Sequence, residues 1–428
     1  MTFDNAETEM SSDEGPRRRI DLNDFPDAPR SGSSRLPQTL ENVAYMLEAT
    51  GITARFNVIK KRVEVRWSNG AWASENDIAS LGALNGLTNN WLLSFSYEIA
   101  RRNPINPVAD WITSKPWDGE NRLPPFYDTV QAVEDYPDGL KEVLLRRWML
   151  AATAAAILEG RRFHCRGVLT LQGPQGIGKT SWIASLVPEG ELRNEFIKRD
   201  HHLDGGNKDS ILGAISHWIT EIGELDSSFR KDVARLKGFL TNDCDKLRPP
   251  YARSEVEFDR RTVFAASVND ANFLVDHTGN SRFWTISVDR LDFQHTIDMQ
   301  QLFAQLKIEL DRGEQWWLTS AEDALLANYN RRHRSVSATE EQVLDAIDLD
   351  RIDSGNAPYM TASEVLTKIG IRSPSNRQAK ECGAVLRERI GQPKRVKGRD
   401  KWRVPLLIDR DPYGLKNGFE REVDDERF

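Results

Sequence analysis

The chain has 428 residues, which suggests roughly two to four domains with a substantial core. Its formal net charge of −7 argues against a uniformly basic nucleic-acid coat, so any contact with nucleic acid must come from a local patch. Three widely spaced cysteines without a CxxC pair argue against disulfides, structural zinc and iron–sulfur centres. The lack of a signal-peptide pattern or of ~20 consecutive apolar residues predicts a cytoplasmic protein without a membrane partner.

The first folded segment along the chain is predicted to begin near residue 38. Residues 1–37 are rich in Ser, Pro, Gly, Asp and Arg and contain too little apolar surface to offset chain entropy, which predicts a disordered tail. Residues 38–103 have the pattern of a small α/β module. It contains a helix that ends at Gly51, a hairpin that turns near Lys60 and Lys61, and two further helices.

The centre and the C-terminal part of the chain divide into further predicted domains. Residues 104–165 are predicted to form an extended, Pro-punctuated connector followed by a long helix over about 137–159. Residues 166–335 alternate strand-like and helix-like runs, which indicates an α/β domain with a parallel sheet and crossover helices. Residues 338–410 contain three helices and a hairpin centred on Lys397 and Gly398, which suggests a winged-helix-like domain; 411–428 are predicted to be a flexible tail.

The most specific signal is "GPQGIGKT" at 173–180, a full match to G-x-x-x-x-G-K-[ST] between an apolar strand and a helix. Its glycines let backbone N–H groups converge on a β-phosphate at a helix N-terminus, while Lys179 bridges the β- and γ-phosphates and Thr180 ligates Mg²⁺. A glycine turn that only packs a strand on a helix is the alternative, which the full motif disfavours. We therefore predict an ATP and Mg²⁺ site formed by Gly173, Pro174, Gln175, Gly176, Ile177, Gly178, Lys179, Thr180 and Ser181.

Two acids follow the apolar strand of "ISHWITEIGELD", namely Glu221 and Glu224. One carboxylate is expected to orient Mg²⁺ through its water shell, and the other to polarise the attacking water. Glu221 is nearer the strand and is the first candidate, but the residues leave open which of the two activates water. The alternative is a pair of solvated loop acids.

Two further polar residues lie near the ends of strand-like runs. Asn269 ends "RTVFAASVND", where its side chain could hydrogen-bond the γ-phosphate or the attacking water; a simple turn residue is the alternative. Arg282 precedes the strand-like "FWTISV" and could face the phosphates of a neighbouring subunit, stabilising the charge that develops in transfer. A surface salt bridge is the alternative for Arg282.

Together these elements resemble the superfamily 3 helicase branch of the AAA+ ATPases, and more narrowly the virulence-associated protein E family of phage and mobile-element replication proteins. The resemblance covers about 104–290 and is carried by "PVADWITSKPWDGENRL", "GPQGIGKT", "HLDGGNKDS", "HWITEIGELDSSFRKDVARLKGFLTNDCDKLRPPYARSEVEFDRRTVFAASVND" and "FLVDHTGNSRFWTI". It implies a hexameric ring ATPase in a bacterial host cell that couples ATP turnover to movement on DNA.

The resemblance also assigns roles to residues of this sequence. Lys179 and Thr180 fall on the Walker A positions, Glu221 and Glu224 on the Walker B region, Asn269 on the sensor, and Arg282 on the arginine finger. The family often has two arginines before Phe-Trp, whereas this chain has Ser281 at the first of these positions. Longer relatives carry a primase, but the short module at 38–103 contains no acidic cluster that would predict one.

A second implication concerns DNA. The segment "DKLRPPYARSEVEF" is predicted to form a hairpin, and the resemblance places it in the ring channel, where cations and an aromatic ring contact single-stranded DNA. A plain solvated hairpin is the alternative. Its candidate contacts are Lys246, Arg248, Tyr251 and Arg253.

The C-terminal domain concentrates positive charge on a helix followed by a hairpin. In a winged helix this arrangement binds duplex DNA, with the helix in the major groove and the wing on the backbone. A solvated face or a protein-binding surface is the alternative. The candidate DNA contacts are Arg387, Lys394, Arg395, Lys397, Arg399 and Lys401.

The motifs favour a DNA-translocating helicase. A DNA-binding ATP switch that regulates or interferes without unwinding would use the same motifs. A P-loop kinase for a small metabolite is disfavoured because the basic C-terminal domain would have no role in it.

Overall fold

The computed structural model describes residues 19–29, 35–88, 91–158, 163–204, 206–223, 238–247, 255–274, 280–333, 337–354 and 357–409. It is a mixed α/β protein in two compact units, one containing the described residues up to His333 and the other those from 337 onward. The helices are α1 Leu40–Ala49, α2 Glu75–Leu84, α3 Leu92–Arg102, α4 Pro107–Ile112, α5 Leu123–Asp128, α6 Leu140–Ile157, α7 Lys179–Ser185, α8 Glu191–Phe196, α9 Lys208–Ile215, α10 Met299–Asp311, α11 Ser320–Asn330, α12 Ala338–Ala346, α13 Ala362–Lys368 and α14 Asn376–Arg389. The strands are β1 Ile52–Asn57, β2 Arg62–Trp67, β3 Pro104–Ile105, β4 Val130–Ala132, β5 Val168–Gln172, β6 Ile197–His201, β7 Ile219–Ile222, β8 Cys244–Leu247, β9 Val256–Asp259, β10 Val263–Val268, β11 Phe283–Leu291, β12 Tyr359–Met360, β13 Lys394–Val396 and β14 Arg399–Arg403.

The N-terminal module contains the predicted hairpin, because β1 and β2 pair antiparallel from Ile52 with Trp67 to Asn57 with Arg62. Residues 1–37 were expected to be disordered, and this expectation is wrong for part of that range. Phe25 and Leu36 are buried in the core of the module, and a 3₁₀ turn covers Leu22–Asp24. Isolated apolar side chains in a polar segment still find a core when one lies beside them. Residues 1–18 and 30–34 lie outside the described residues.

The central sheet has the strand order β4-β11-β5-β10-β7-β6. Strands β11, β5, β10, β7 and β6 run parallel, as the alternating sequence pattern predicted, and β4 adds an antiparallel edge. Because these five strands are parallel, the residues that follow β5, β7 and β10 emerge at one edge of the sheet. The loop after β5, which carries the GxxxxGK[ST] motif, is therefore brought to the same end of the sheet as the acidic residue of β7, with β10 between the two strands.

The stretch from 104 onward is not the extended connector that its prolines suggested. It contains the short helices α4 and α5, with Pro107 at the start of α4 and a proline in the first turn of α5. Proline is tolerated there because its fixed φ suits a first helical turn and its missing N–H has no partner to lose. Asn106 caps α4 by accepting the N–H of Ala109.

The long helix α6 packs on the central sheet and shares its core, so the predicted boundary at 165 does not separate two cores. The indole of Trp148 on α6 donates to the carbonyl of Phe264 on β10 at 2.8 Å. A second bond runs from the sheet to the helix: the indole of Trp218, directly before β7, donates to the carbonyl of Ala152 on α6, also at 2.8 Å. These bonds satisfy two buried N–H groups and fix the position of the helix relative to the strands that carry the site.

The second unit has the predicted three helices and hairpin, in the order α12, β12, α13, α14, β13, β14. Its sheet has the order β12-β14-β13, and Trp402, Val365 and Leu386 lie in its core. The hairpin turns at Lys397 and Gly398, whose φ angles of 49° and 78° are those of a tight I′-type turn. Across the described residues of both units, no helix has the length and apolar character needed to cross a bilayer.

Candidate functional site

An open cavity of about 720 Å³ lies at the carboxyl ends of β5, β7 and β10. Ligands of open α/β sheets bind at this end of the strands, because the loops that follow the strands converge there. Its lining residues are Gln175, Gly176, Gly178, Lys179, Thr180, Ser181, Asp200, Glu221, Gly223, Ser267, Asn269 and Asp270.

The loop between β5 and α7 requires glycine at two positions. Gly176 and Gly178 have φ angles of 85° and 90°, in the left-handed region that other residues rarely adopt. Ile177 between them packs against the main core and anchors the loop to the body of the protein. The motif residues Gly173 and Pro174 do not line the cavity, but their carbonyls contact the lysine of the loop.

Lys179 is 7% exposed and its ammonium group is fully engaged. Nζ donates to the carbonyls of Gly173 and Pro174 at 2.7 and 2.8 Å, and to Oδ1 of Asn269 at 2.8 Å. Burial lowers the pKa of Lys179, and the nearby charge of Glu221 acts in the opposite direction. An anion that binds this lysine must replace one or more of three protein acceptors.

Glu221 lies fully buried in β7 and accepts hydrogen bonds from three elements. Oε1 accepts from the hydroxyl of Thr180 at 2.6 Å and from the hydroxyl of Ser267 on β10. Oε2 accepts from the backbone N–H of Asp200 on β6 at 3.2 Å. A carboxylate and a hydroxyl this close offer the hard oxygen ligands that Mg²⁺ prefers.

Asp200 and Ser267 are site residues that the sequence analysis missed. Asp200 has φ of 48°, an unfavourable backbone for a residue other than glycine, and its carboxylate lies where a Cβ on Gly223 would be. Only glycine at 223 therefore leaves room for this side chain. No sequence motif marks Asp200. Only the pairing of β6 with β7 in the sheet reveals that it belongs to the site.

Arg282 lies far from this cavity within its own chain. It immediately precedes Phe283, which pairs with Val168 at the start of β5, whereas the loop that leads to Lys179 follows Gln172 at the end of that strand. Six steps along β5, from the level of Gly167 to Gly173, at about 3.3 Å each separate the two positions by about 20 Å. Nε of Arg282 is buried without a hydrogen-bond partner among the described residues. Glu224 lies outside the described residues.

A family model for the virulence-associated protein E-like domain matches residues 112–335, which is just over half of the chain. The chain belongs to this family. The matched region of this VapE-like protein includes every site residue described above, from Lys179 to Arg282.

No match was found among curated proteins. Among solved structures, the chain is similar to "the apo structure of NrS-1 C terminal region (305-718)" with 14% identity and a TM-score of 0.38, covering 85% of this chain and 98% of that one. It is also similar to "the A form apo structure of NrS-1 C terminal region-CTR" with 15% identity and a TM-score of 0.37, covering 85% and 99%. TM-scores below 0.5 are too low to bear on the function of this VapE-like protein.

The predicted hairpin of the VapE-like protein is present at its base, where β8 and β9 pair antiparallel and Lys246 lies opposite Glu257. The Lys246 side chain is 68% exposed, and its Nζ is 4.0 Å from the Glu257 carboxylate. The base is held by a buried ion pair in which Arg260 contacts Asp245 at 2.6 Å. The other three candidates, Arg248, Tyr251 and Arg253, lie outside the described residues.

The basic residues of the second unit differ in how they are engaged. Lys401 contacts the carboxylate of Glu364 at 3.1 Å, and the guanidinium of Arg387 lies over the ring of Trp402. Both side chains therefore have partners within the unit. The remaining candidates are exposed and, within the described chain, form no ion pair: Lys394, Arg395, Lys397 and Arg399. Of these, Lys394 has its ammonium group 6.0 Å from the centre of the Tyr359 ring.

Proposed function

We propose that this chain is an ATP-hydrolysing ring helicase of phage or mobile-element replication, in which one copy binds ATP and Mg²⁺ and the next copy supplies Arg282. The observation that carries the proposal is the meeting of Lys179, Thr180, Glu221 and Asn269 around one cavity. The sequence places these residues on three separate elements, and only the strand order brings them together.

The order of the strands supports an AAA+, superfamily 3-like P-loop domain. Strand β10 lies between β5 and β7, so Asn269 at its end is set between the phosphate loop and the acidic strand. Its Oδ1 accepts from Lys179 at 2.8 Å, which is the position from which an amide can contact a γ-phosphate or the water beside it. Asn269 thereby fits a sensor role better than that of a turn residue.

The residues around the cavity fit ATP and Mg²⁺ by their chemistry. Lys179 would exchange its carbonyl partners for phosphate oxygens, and Thr180 with Glu221 would hold Mg²⁺, which neutralises phosphate charge when bound. Protein sites for Mg²⁺ on nucleotides need only one or two such oxygens, because phosphates and waters supply the rest. Glu221 or Glu224 would polarise the attacking water.

The position of Arg282 supports assembly into a ring, for which we propose a hexamer. A guanidinium about 20 Å away cannot stabilise charge on phosphates bound to its own chain. Arg282 lies at the amino-terminal ends of the parallel strands, opposite to the carboxyl ends that carry the loop, where it could face the cavity of another copy. Hydrolysis would then depend on assembly.

We further propose two DNA contacts. The hairpin that carries Lys246 would contact single-stranded DNA in the ring channel, together with Arg248, Tyr251 and Arg253. The second unit has the helix and strand order of a winged helix, and its exposed cations at Lys394, Arg395, Lys397 and Arg399 would contact duplex DNA. Arg387 and Lys401, which have partners within the unit, would contribute less.

The proposal is tested by measuring ATP hydrolysis with and without DNA, and strand displacement on a forked duplex. A helicase consumes ATP faster with DNA and displaces the strand, and Lys179→Ala does neither. A DNA-binding switch would hydrolyse ATP on DNA without displacing the strand. Phosphate appearing on a small acceptor instead of in solution would identify a kinase.

A further inference from the structure

A second cavity of about 570 Å³ lies beside α7 and adjoins the first at Ser181, which lines both. Its walls come from α7, from the segment after it, from Arg193 on α8 and Arg199 on β6, and from the segment that leads from β11 into α10. Three of its lining residues bear on what it could bind, namely Ser185, Phe293 and His295. None of them was identified as a site residue from the sequence.

Phe293 lies at the border between the two cavities. Its ring packs directly over Gly178 of the phosphate loop, so closely that a Cβ on Gly178 would come within 2.6 Å of the ring carbon Cε1. The side chain is nevertheless 40% exposed, and within the described chain it forms no stacked or edge-to-face pair with another aromatic ring. A large aromatic face is thus left open at the end of the loop.

His295 lines the same cavity and carries a polar atom without a hydrogen-bond partner among the described residues. Its Nε2 lies 3.1 Å from the hydroxyl of Ser185 on α7, whereas its Nδ1 is buried with no partner among the described residues. Burial lowers the pKa of His295, so the ring is neutral near pH 7 and Nδ1 can donate or accept depending on its tautomer. A buried polar atom without a partner is unfavourable and calls for a ligand or water.

We propose that this cavity is the nucleoside end of the nucleotide site, where Phe293 stacks on the adenine base and Nδ1 of His295 hydrogen-bonds to it. This inference rests on the proposed binding of ATP. Ser181 directly follows Thr180 and lines both cavities, so a nucleotide whose phosphates contact Lys179 and Thr180 extends past Ser181 towards Phe293. An exposed aromatic face beside the unpartnered Nδ1 of His295 suits a planar, hydrogen-bonding base.

The experiment compares ATP with inorganic tripolyphosphate, which has the phosphates but no base, by calorimetric titration of the full chain with Mg²⁺. Phe293→Leu keeps an apolar side chain over Gly178 and removes the aromatic face. We expect it to weaken ATP binding at least about fivefold, since stacking on a base contributes about 1–3 kcal/mol, and to leave tripolyphosphate binding unchanged. Phe293→Tyr, the matched control, keeps wild-type binding of both ligands.

A second variant tests the imidazole. His295→Phe retains a ring and removes both nitrogens, and we expect it also to weaken ATP binding selectively.

The inference is overturned if Phe293→Leu leaves ATP binding unchanged, or if it weakens tripolyphosphate binding as much as ATP binding, because the ring would then only support the loop. If the wild-type chain binds neither ligand, the proposed ATP site itself fails. If it binds both and the variants change nothing, only the base assignment fails.

Discussion

The hydroxyl of Thr180 donates to Oε1 of Glu221 at 2.6 Å, so the first turn of α7 and the strand β7 are in direct contact. Glu221→Gln tests this contact. The amide keeps one acceptor oxygen and replaces the other by a donor, so either the N–H of Asp200 or the hydroxyls of Thr180 and Ser267 lose their acceptor. We expect turnover to fall at least about 100-fold, ATP binding to persist, and the unfolding free energy to drop by about 1–3 kcal/mol.

Steady-state ATP hydrolysis and urea unfolding measure these effects. Ser267→Ala is the matched control, since it removes one donor to the same Oε1 and leaves the carboxylate and Thr180 in place. Near wild-type turnover of Glu221→Gln would contradict the assignment of Glu221 to the reaction.

In the proposed function, phosphate binding depends on Lys179. Lys179→Ala removes the only described lysine that lines the cavity, and we expect loss of turnover and at least about tenfold weaker binding of both ATP and tripolyphosphate. The exposed Lys208→Ala on α9 serves as the control and should behave as wild type. Titration calorimetry measures both. Unchanged tripolyphosphate binding by Lys179→Ala would place the phosphates elsewhere.

Lys61 gives the N-terminal module a pH dependence. It is 5% exposed, its Nζ donates to the carbonyl of Ile215 at 2.7 Å, and burial lowers its pKa to about 8 from 10.5. The unfolded chain therefore binds this proton more tightly than the folded chain does. Protonation of Lys61 destabilises the folded state progressively as the pH falls from 10.5 to about 8. Relative to Lys61→Met, the unfolding free energy of the wild type should rise by up to about 3 kcal/mol between pH 8 and 10.5.

Urea titrations of both proteins at several pH values across this range test that sign. Parallel curves for wild type and Lys61→Met would show that Lys61 keeps an ordinary pKa in the folded chain. A decrease in relative stability with rising pH would require that Lys61 be held as a cation.

The exposed hairpin of the second unit should govern the salt dependence of duplex binding. Replacing Lys394, Arg395 and Lys397 by Ala removes up to three phosphate contacts, and the slope of log Kd against log salt should fall by about 2–3. Lys401→Ala should change the slope little, because Lys401 already contacts Glu364 at 3.1 Å. Fluorescence anisotropy with a labelled duplex measures the slopes. Equal slopes for the triple variant and wild type would exclude this surface.

The parts of the site with fixed local geometry could be predicted from the sequence, and the others depended on tertiary pairing. The glycines of 173–180 impose a loop by themselves, and the pair Lys397 and Gly398 imposes a tight turn. Asp200 and Ser267 join the site only because β6 and β10 flank β7, a relationship that no local pattern encodes. Both were missed for that reason.

Two errors in the predicted fold have the same physical origin. Proline was taken as a mark of extended chain at Pro107, yet the first turn of a helix accommodates it as well. Phe25 was assigned to a disordered tail because its neighbours are polar, yet one aromatic side chain suffices to anchor a segment on an existing core. In each case the composition of the surrounding segment did not determine the conformation or the contacts of the residue itself.

The central claim is that each hydrolysis site combines Lys179 of one copy with Arg282 of another, and mixing two inactive variants tests it most directly. Lys179→Ala and Arg282→Ala should each lack turnover alone, while Arg282→Ala still binds ATP. Mixed in equal amounts with DNA, they should recover a measurable fraction of wild-type hydrolysis, because some sites then pair an intact lysine with an intact arginine. Full activity of Arg282→Ala alone, or no recovery on mixing when light scattering shows mixed assemblies, would contradict the claim.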